Sequence, residues 1–348
     1  MNPCTPQFDE RQQQLLTWLE PWLLEATPQL QPVAGDASFR RYFRLGHQAN
    51  RTGSNLILMD APPDKESSSS FFHLAQAWRQ AGICVPFLHA TCEDQGFALL
   101  EDFGDCQFMH QVQGLSPEEV DPWYRRALQQ LADLQVQAKP SSAQLPPYNQ
   151  ALLLREIQLF DDWLLDQLLE LPARPQGWQS FQQQLIEQAL EQPQTPVHRD
   201  YHSRNLMVTT ETSLGILDFQ DAVLGPCTYD AVSLIRDCYL QWPSTWEDAW
   251  IEFFRTQACP EIPTNQFRRW FDWMGMQRHL KAAGIFARLW LRDGKPGYLN
   301  DLPRTLNHLT LALQKYPETA DIGLWINQQL VPHLHQRLEA LKQKQALA

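Results

Sequence analysis

Apolar positions in the first third of the chain follow two periods. Over residues 9–25, Leu15, Leu16, Leu19, Trp22 and Leu23 recur at helical spacing and predict an accessory helix, ended by Pro28 and Pro32. The period then drops to two. Pro32-Val33-Ala34, the turn Gly35-Asp36-Ala37-Ser38 and the alternating residues 39–45 read as strand, turn, strand. Asn55-Leu56-Ile57-Leu58-Met59-Asp60 predicts a third strand, residues 71–81 a helix stopped at Gly82, and residues 86–90 and 96–100 a further strand pair. Helical spacing dominates afterwards, over residues 118–138, 152–171 and 178–190, with Val120, Trp123, Ala127, Leu131 and Leu134 forming the first stripe. Two short strands around the polar turn 209–213 interrupt it. Helices then return over 230–239, 245–257, 265–292, 302–315 and 322–341. Strands first and helices after predict an α+β fold.

Composition adds bounds. The 348 residues suffice for one large domain or two lobes with a real core. A net charge of −12 argues against a nucleic-acid partner, because holding a phosphate backbone requires a basic surface. A nucleotide needs only a local cation and Mg²⁺. Gln7, Asp9, Glu10 and Arg11 interrupt the N-terminus and no long apolar span follows, so the expectation is a cytoplasmic chain with no membrane partner. The seven cysteines are scattered, odd in number and without metal-site spacing, which fits small thiols in a reducing compartment.

Candidate chemistry sits at the interrupting segment. In Val197-His198-Arg199-Asp200-Tyr201-His202-Ser203-Arg204-Asn205, an Asn follows an Asp by five residues. The next strand pair ends at Asp218-Phe219-Gln220-Asp221. A hairpin here would bring Asp218 back to the end the chain left, so Asp200, Asn205 and Asp218 are expected to converge. Phosphoryl transfer needs a group that orients an attacking hydroxyl or takes its proton, and oxygen ligands that hold Mg²⁺ on nucleotide phosphates. Asp200 fits the first role; Asn205 and Asp218 fit the second, since Mg²⁺ takes oxygen donors and few protein ligands. A polar turn whose Asp and Asn merely cap backbone is the bland alternative, and the full constellation disfavours it.

Residues 198–221 resemble the catalytic segment of the aminoglycoside phosphotransferase and choline kinase superfamily, small-molecule relatives of protein kinases. A closer resemblance is to the anomeric kinases that phosphorylate N-acetylmuramate and N-acetylglucosamine in bacterial cell-wall recycling. It rests on Gly35-Asp36-Ala37-Ser38-Phe39-Arg40-Arg41-Tyr42-Phe43, Met59-Asp60-Ala61-Pro62-Pro63 and Leu100-Glu101-Asp102-Phe103-Gly104-Asp105. Val197 to Met207, Asp218 to Ala222, Gly225-Pro226, Thr228-Tyr229-Asp230 and Gln277-Arg278-His279-Leu280-Lys281 to Arg288 complete it. The resemblance implies a bilobal protein-kinase-like fold. Residues 1–102 would form a mainly antiparallel-sheet lobe over the nucleotide, and 103–348 a mainly helical lobe with catalytic loop and acceptor site. ATP is the implied donor and Mg²⁺ the implied ion. Gly35, through backbone freedom, and Ser38, as a donor, would cover the phosphates, and Glu101 and Phe103 would flank the base. One departure stands out. The phosphate-pairing lysine expected near Met59 is missing, as is its glutamate partner in the helix at 71–81. Either an arginine, Arg41 or Arg44, supplies the charge, or Mg²⁺ and backbone amides carry more of it.

The acceptor side is basic rather than acidic. Arg236, His279, Lys281, Arg288, Arg292 and Lys295 occupy the C-terminal helices, where a polycationic drug would call for carboxylates. A neutral or anionic acceptor suits them, and the lactyl carboxylate of N-acetylmuramate matches an arginine. His202 and Arg204, inside the catalytic loop, and Asp221 just past the second motif are further acceptor candidates. The expected reaction is transfer of the ATP γ-phosphate to the anomeric hydroxyl of an amino sugar. A phosphotransferase for an aminoglycoside, choline or homoserine, or a silent nucleotide-binding scaffold, remain open alternatives.

Overall fold

The computed structural model describes residues 9–24, 28–33, 39–171, 173–210 and 213–346. Gly35 and Ser38 lie outside the described residues. The chain forms two compact units, Met1–Cys106 with Met207–Gln220, and Gln107–Leu206 with Asp221–Ala348.

The first unit opens with helix α1 (Glu10–Leu19), started by a capping box in which Asp9 and Gln12 satisfy each other's backbone amides. Strands β1 (Leu30–Val33), β2 (Arg41–Leu45) and β3 (Leu56–Asp60) precede helix α2 (Ser69–Gln80), and β4 (Leu88–Cys92) and β5 (Phe97–Glu101) follow it. The strands form an antiparallel sheet in the order β1-β2-β3-β5-β4. Strand alternation sorts its faces. Phe43, Leu45, Leu56, Leu58, Phe97 and Leu99 join Leu15 and Leu19 of α1 in one buried cluster. Tyr42, Arg44, Ile57 and Met59 therefore belong to the opposite face. Phe71 of α2 stacks on Phe219 at 5.1 Å between ring centres, so the segment ending at Gln220 is part of this unit although it lies more than a hundred residues downstream.

The second unit is helical, as the spacing predicts. It comprises α3 (Phe108–Val112), α4 (Pro117–Gln137), α5 (Gln150–Leu159) and α6 (Trp178–Leu190), then strand β6 (Gln194–Val197). The hairpin β7 (Leu206–Thr210) and β8 (Ser213–Ile216) intervenes before β9 (Val223–Pro226), which pairs antiparallel with β6. Helices α7 (Tyr229–Ile235), α8 (Ser244–Ala258), α9 (Thr264–Leu291), α10 (Leu302–Leu313), α11 (Ala320–Trp325) and α12 (Val331–Ala346) complete it. Helix α9 is buried over most of its circumference, with α5, α6, α7 and α10 packed on it, so its polar residues have been drawn into the core. No helix among the described residues is long and apolar enough to cross a membrane.

Three predicted helices differ in detail. The helix expected over 152–171 widens at Phe160–Leu168 into a π-helix. A Cβ on Gly284 of α9 would stand 2.3 Å from the Leu159 carbonyl carbon, so the widening begins where two helix backbones touch. A second π-turn, Ile326–Leu330, divides the predicted helix 322–341. The helix predicted over 230–239 stops at Ile235. Asp237 there accepts hydrogen bonds from the amides of Ser203 (2.9 Å) and Tyr239 (3.0 Å), and local side-chain bonds of that kind compete with the helix.

Candidate active site

Strand β6 delivers the chain to His198 buried, and the backbone then turns sharply. Arg199 has φ +75°, one of three non-glycine described residues with a left-handed backbone; another is Asp218 at +63°. Such conformations are costly without surrounding support and cluster at functional sites. Support for Arg199 is visible. Both carboxylate oxygens of buried Asp230, at the start of α7, accept backbone hydrogen bonds, from His198 N at 2.7 Å and Arg199 N at 3.0 Å. The loop then closes on itself: His202 N donates to Asp200 O (2.9 Å), Asn205 N to His202 O (3.0 Å), and Asn205 Nδ2 to Asp200 O (3.0 Å). Asp200 and Asn205 are thereby brought together. Because the Asn205 amide nitrogen faces Asp200, its oxygen end points the other way, as a hard-metal ligand requires.

Electrostatics set the state of Asp200. Burial alone would raise its carboxyl, but the charges of Lys281, His202, Arg199 and His198 outweigh it and hold the group down at about 2. Two of those cations share one buried anchor, Glu156. Lys281 Nζ lies 3.2 Å from Glu156 Oε1, the Arg199 guanidinium pairs with the same oxygen, and Tyr148 and Gln277 donate to Oε2. Sequence reading missed Glu156. It is one acid in an apolar helix stripe, and only the fold shows that it fixes two cations around Asp200.

Asp218 belongs to the first unit. Its Oδ1 accepts from Gln220 Nε2 at 2.7 Å, and Phe219 between them is fully buried against Phe71 and Trp78. A carboxylate on Asp218 and an amide oxygen on Asn205 are donors of the kind Mg²⁺ takes. On the same unit Glu101 accepts from Phe87 N (3.1 Å) and pairs with Arg79 (3.1 Å). The Phe103 ring covers Gly215, where a Cβ would come within 2.3 Å of it. The two expected lysine substitutes both have carboxylate partners: Arg41 bridges Asp60 (2.6 Å) and Asp9, and Arg44 holds Asp102 (2.6 Å) and Asp105 (2.7 Å).

The acceptor candidates divide. Arg236 is 5% exposed and paired with Asp272 (2.7 Å) and Glu247 (3.2 Å), and His279 is enclosed, its ring nitrogens at the carbonyls of Gly275 (2.6 Å) and Arg236 (2.9 Å). Both are buried and fully engaged with protein partners, because α9 and the end of α7 turn these faces inward. Arg288 is half-buried with its Nε unpartnered among the described residues, and burial and Arg292 push its acidity upward. Asp221 is exposed and receives Arg199 on its carbonyl at 3.3 Å. His202 packs edge-on against Tyr239 at 5.3 Å, and the Arg204 guanidinium lies over the same ring at 3.6 Å.

An N-acetylmuramate/N-acetylglucosamine kinase of Pseudomonas putida is 38% identical over 336 residues, covering 91% of this chain and 96% of that protein. The protein of the same name from Neisseria meningitidis is 39% identical over 324 residues, 90% of this chain and 94% of its own length. The choline kinase structure from Streptococcus pneumoniae shares the fold, at a TM-score of 0.59 and 10% identity over 87% of this chain and 100% of that one. Residues 29–271 match the phosphotransferase enzyme family. The kinase-like α+β fold and these relatives together show that the chain belongs to the phosphotransferase enzyme family.

Proposed function

We propose that this phosphotransferase transfers the γ-phosphate of ATP to the anomeric hydroxyl of an amino sugar, N-acetylmuramate, N-acetylglucosamine or both. The product is the sugar 1-phosphate, and the setting is peptidoglycan recycling in the cytoplasm. The observation that carries the reading is the Asp200–Asn205 loop, pinned by Asp230 and surrounded by cations anchored on Glu156. The names and identity of the relatives support the sugar acceptor.

In this mechanism Asp200 orients the attacking hydroxyl and takes its proton late. A carboxyl held at about 2 is a weak base, which suits an anomeric hydroxyl, more acidic than an ordinary alcohol. Lys281 and Arg199 keep Asp200 ionised. Asn205 and Asp218 would hold Mg²⁺, which neutralises charge on the nucleotide phosphates. Residues 1–102 serve the nucleotide, with Gly35 and Ser38 at its phosphates and Glu101 and Phe103 at its base, and residues 103–348 serve catalysis and the acceptor. Incubating the protein with Mg-ATP and each sugar, and locating the phosphorylated carbon by ³¹P NMR, tests the reading. A phosphate on C1 supports it. Transfer to C6, or turnover confined to choline or aminoglycosides, overturns it.

A further inference from the structure

The cations of the helical unit differ in what holds them. Lys281 and Arg199 share Glu156, and Arg236 is held by Asp272 and Glu247. Arg278 is buried and donates to the Ser233 hydroxyl (2.6 Å) and the Cys238 sulfur (3.4 Å). Arg204, like Arg278, has no carboxylate within ion-pair distance among the described residues, but it is only half-buried, and it sits four residues after Asp200 and next to Asn205. Asp301 feels the Arg204 charge more than that of Arg304, but its direct ion pair, at 3.1 Å, is with Arg304.

Its position is nevertheless fixed. The guanidinium stacks at 3.6 Å over Tyr239, whose amide is tied by Asp237 to the Ser203 amide of the same loop. The Arg204 carbonyl accepts from Gln107 Nε2 at 3.1 Å, so backbone and guanidinium are both anchored. Stacking leaves the edge of the guanidinium, with its paired N–H groups, available for a planar two-oxygen anion. Pre-orientation lowers the entropy lost on binding such a group.

We infer that Arg204 recognises a carboxylate on the acceptor, and so sets the preference for N-acetylmuramate, which carries a lactyl carboxylate, over N-acetylglucosamine, which lacks one. This rests on the amino-sugar reading above. No chemical step is added: Arg204 binds the acceptor, and Asp200 handles the reacting hydroxyl.

The two sugars provide the test, because a purely structural role of Arg204 would affect both alike. Loss of a charge-assisted pair is expected to raise the KM of R204A for N-acetylmuramate by about 10- to 100-fold. The KM values for N-acetylglucosamine and ATP should stay within about twofold, since neither interaction involves the lost pair. R204K, which keeps the charge but loses the planar fork, should fall between R204A and wild type. R204Q repeats the measurement if R204A does not fold, and R288Q is expected to lack the selective effect. An equal change for both sugars, or the selective effect in R288Q instead, overturns the inference. So does wild-type turnover of N-acetylglucosamine alone, with the amino-sugar reading left standing. Turnover of neither sugar overturns both.

Discussion

Lys281 Nζ lies 3.2 Å from Glu156 Oε1, deep in the helical unit, where the Arg199 side chain meets the same carboxylate. Two cations and one anion leave a net positive surrounding for Asp200, so its carboxylate completes a charge balance that Glu156 begins. Replacing Glu156 with Gln would strand both cations. Breaking a buried pair from one side typically costs about 3–5 kcal/mol, and a loss of that size in urea unfolding is expected for E156Q. Turnover should fall as well, because Lys281 and Arg199 then compete for Asp200 itself.

Asp200→Asn should lower kcat by about 10²- to 10⁴-fold while leaving the far-UV spectrum unchanged. The pH profile carries a sharper expectation. With its carboxyl held at about 2, Asp200 stays ionised throughout the neutral range. The wild-type kcat should therefore show no acid limb from this residue above about pH 4. Steady-state rates across pH, at saturating ATP and sugar, check this; an acid limb centred between pH 5 and 6 that D200N removes would contradict it.

How much of this was readable beforehand depends on where the information lies along the chain. The loop from His198 to Asn205 is contiguous, and its spacing alone pointed to the proximity of Asp200 and Asn205. Glu156 could not be found that way, since its partners Arg199 and Lys281 are 43 and 125 residues distant in the sequence. The burial of Arg236 and His279 was hidden for a related reason. Basic residues on a helix usually mark a solvated face, but α9 is enclosed nearly all round, and Arg236 at the end of α7 is buried and paired with Asp272 and Glu247. The π-helix at Phe160–Leu168 was equally hidden, because over nine residues its apolar spacing differs little from that of an α-helix.

Gly284 presses on the Leu159–Phe160 backbone, where a Cβ would meet carbonyl and amide atoms at 2.3–2.6 Å. Main chain cannot swing aside as a long side chain can. Gly284→Ala should thus destabilise the protein by about 1–3 kcal/mol, the range for overpacking, despite the better helix propensity of Ala. Thermal unfolding should register this, while KM values remain close to wild type. A more stable G284A protein would mean that the two helices are not in contact at this point.

Arg236→Ala separates packing from substrate binding. Its removal uncovers Asp272 and Glu247, of which Lys315 compensates only Asp272, at 3.0 Å. Stability is expected to fall by about 3–5 kcal/mol, as for other buried pairs broken on one side. Acceptor KM should stay near wild type in whatever fraction remains folded. A large rise in acceptor KM with little loss of stability would return Arg236 to the acceptor site.

Asp230 bears on stability with the opposite sign to Asp200. Burial raises its carboxyl, the backbone amides of His198 and Arg199 pull it down, and the nearby Asp200 charge raises it again, with a net position of about 7. An unfolded aspartate titrates near 3.9, so between about pH 4 and 7 the folded chain binds the extra proton. This group's contribution is fully present below pH 4 and is lost as pH rises through 7. For Asp200, lowered to about 2, the contribution grows as pH rises from about 2 to 4 and is constant above. His202, His279 and His308, each lowered by burial, add stability as pH rises over the same window, so the Asp230 part is read as the difference between wild type and D230N. Between pH 4.5 and 7 the urea stability of wild type relative to D230N should decline with rising pH, by at most about 1.4 kcal/mol per pH unit. Asp230→Asn should also lower stability at the acid end, because one amide of the His198–Arg199 turn then faces an NH₂ group. A D230N protein that keeps the wild-type slope would show that Asp230 is ionised throughout, with its two backbone donors outweighing burial.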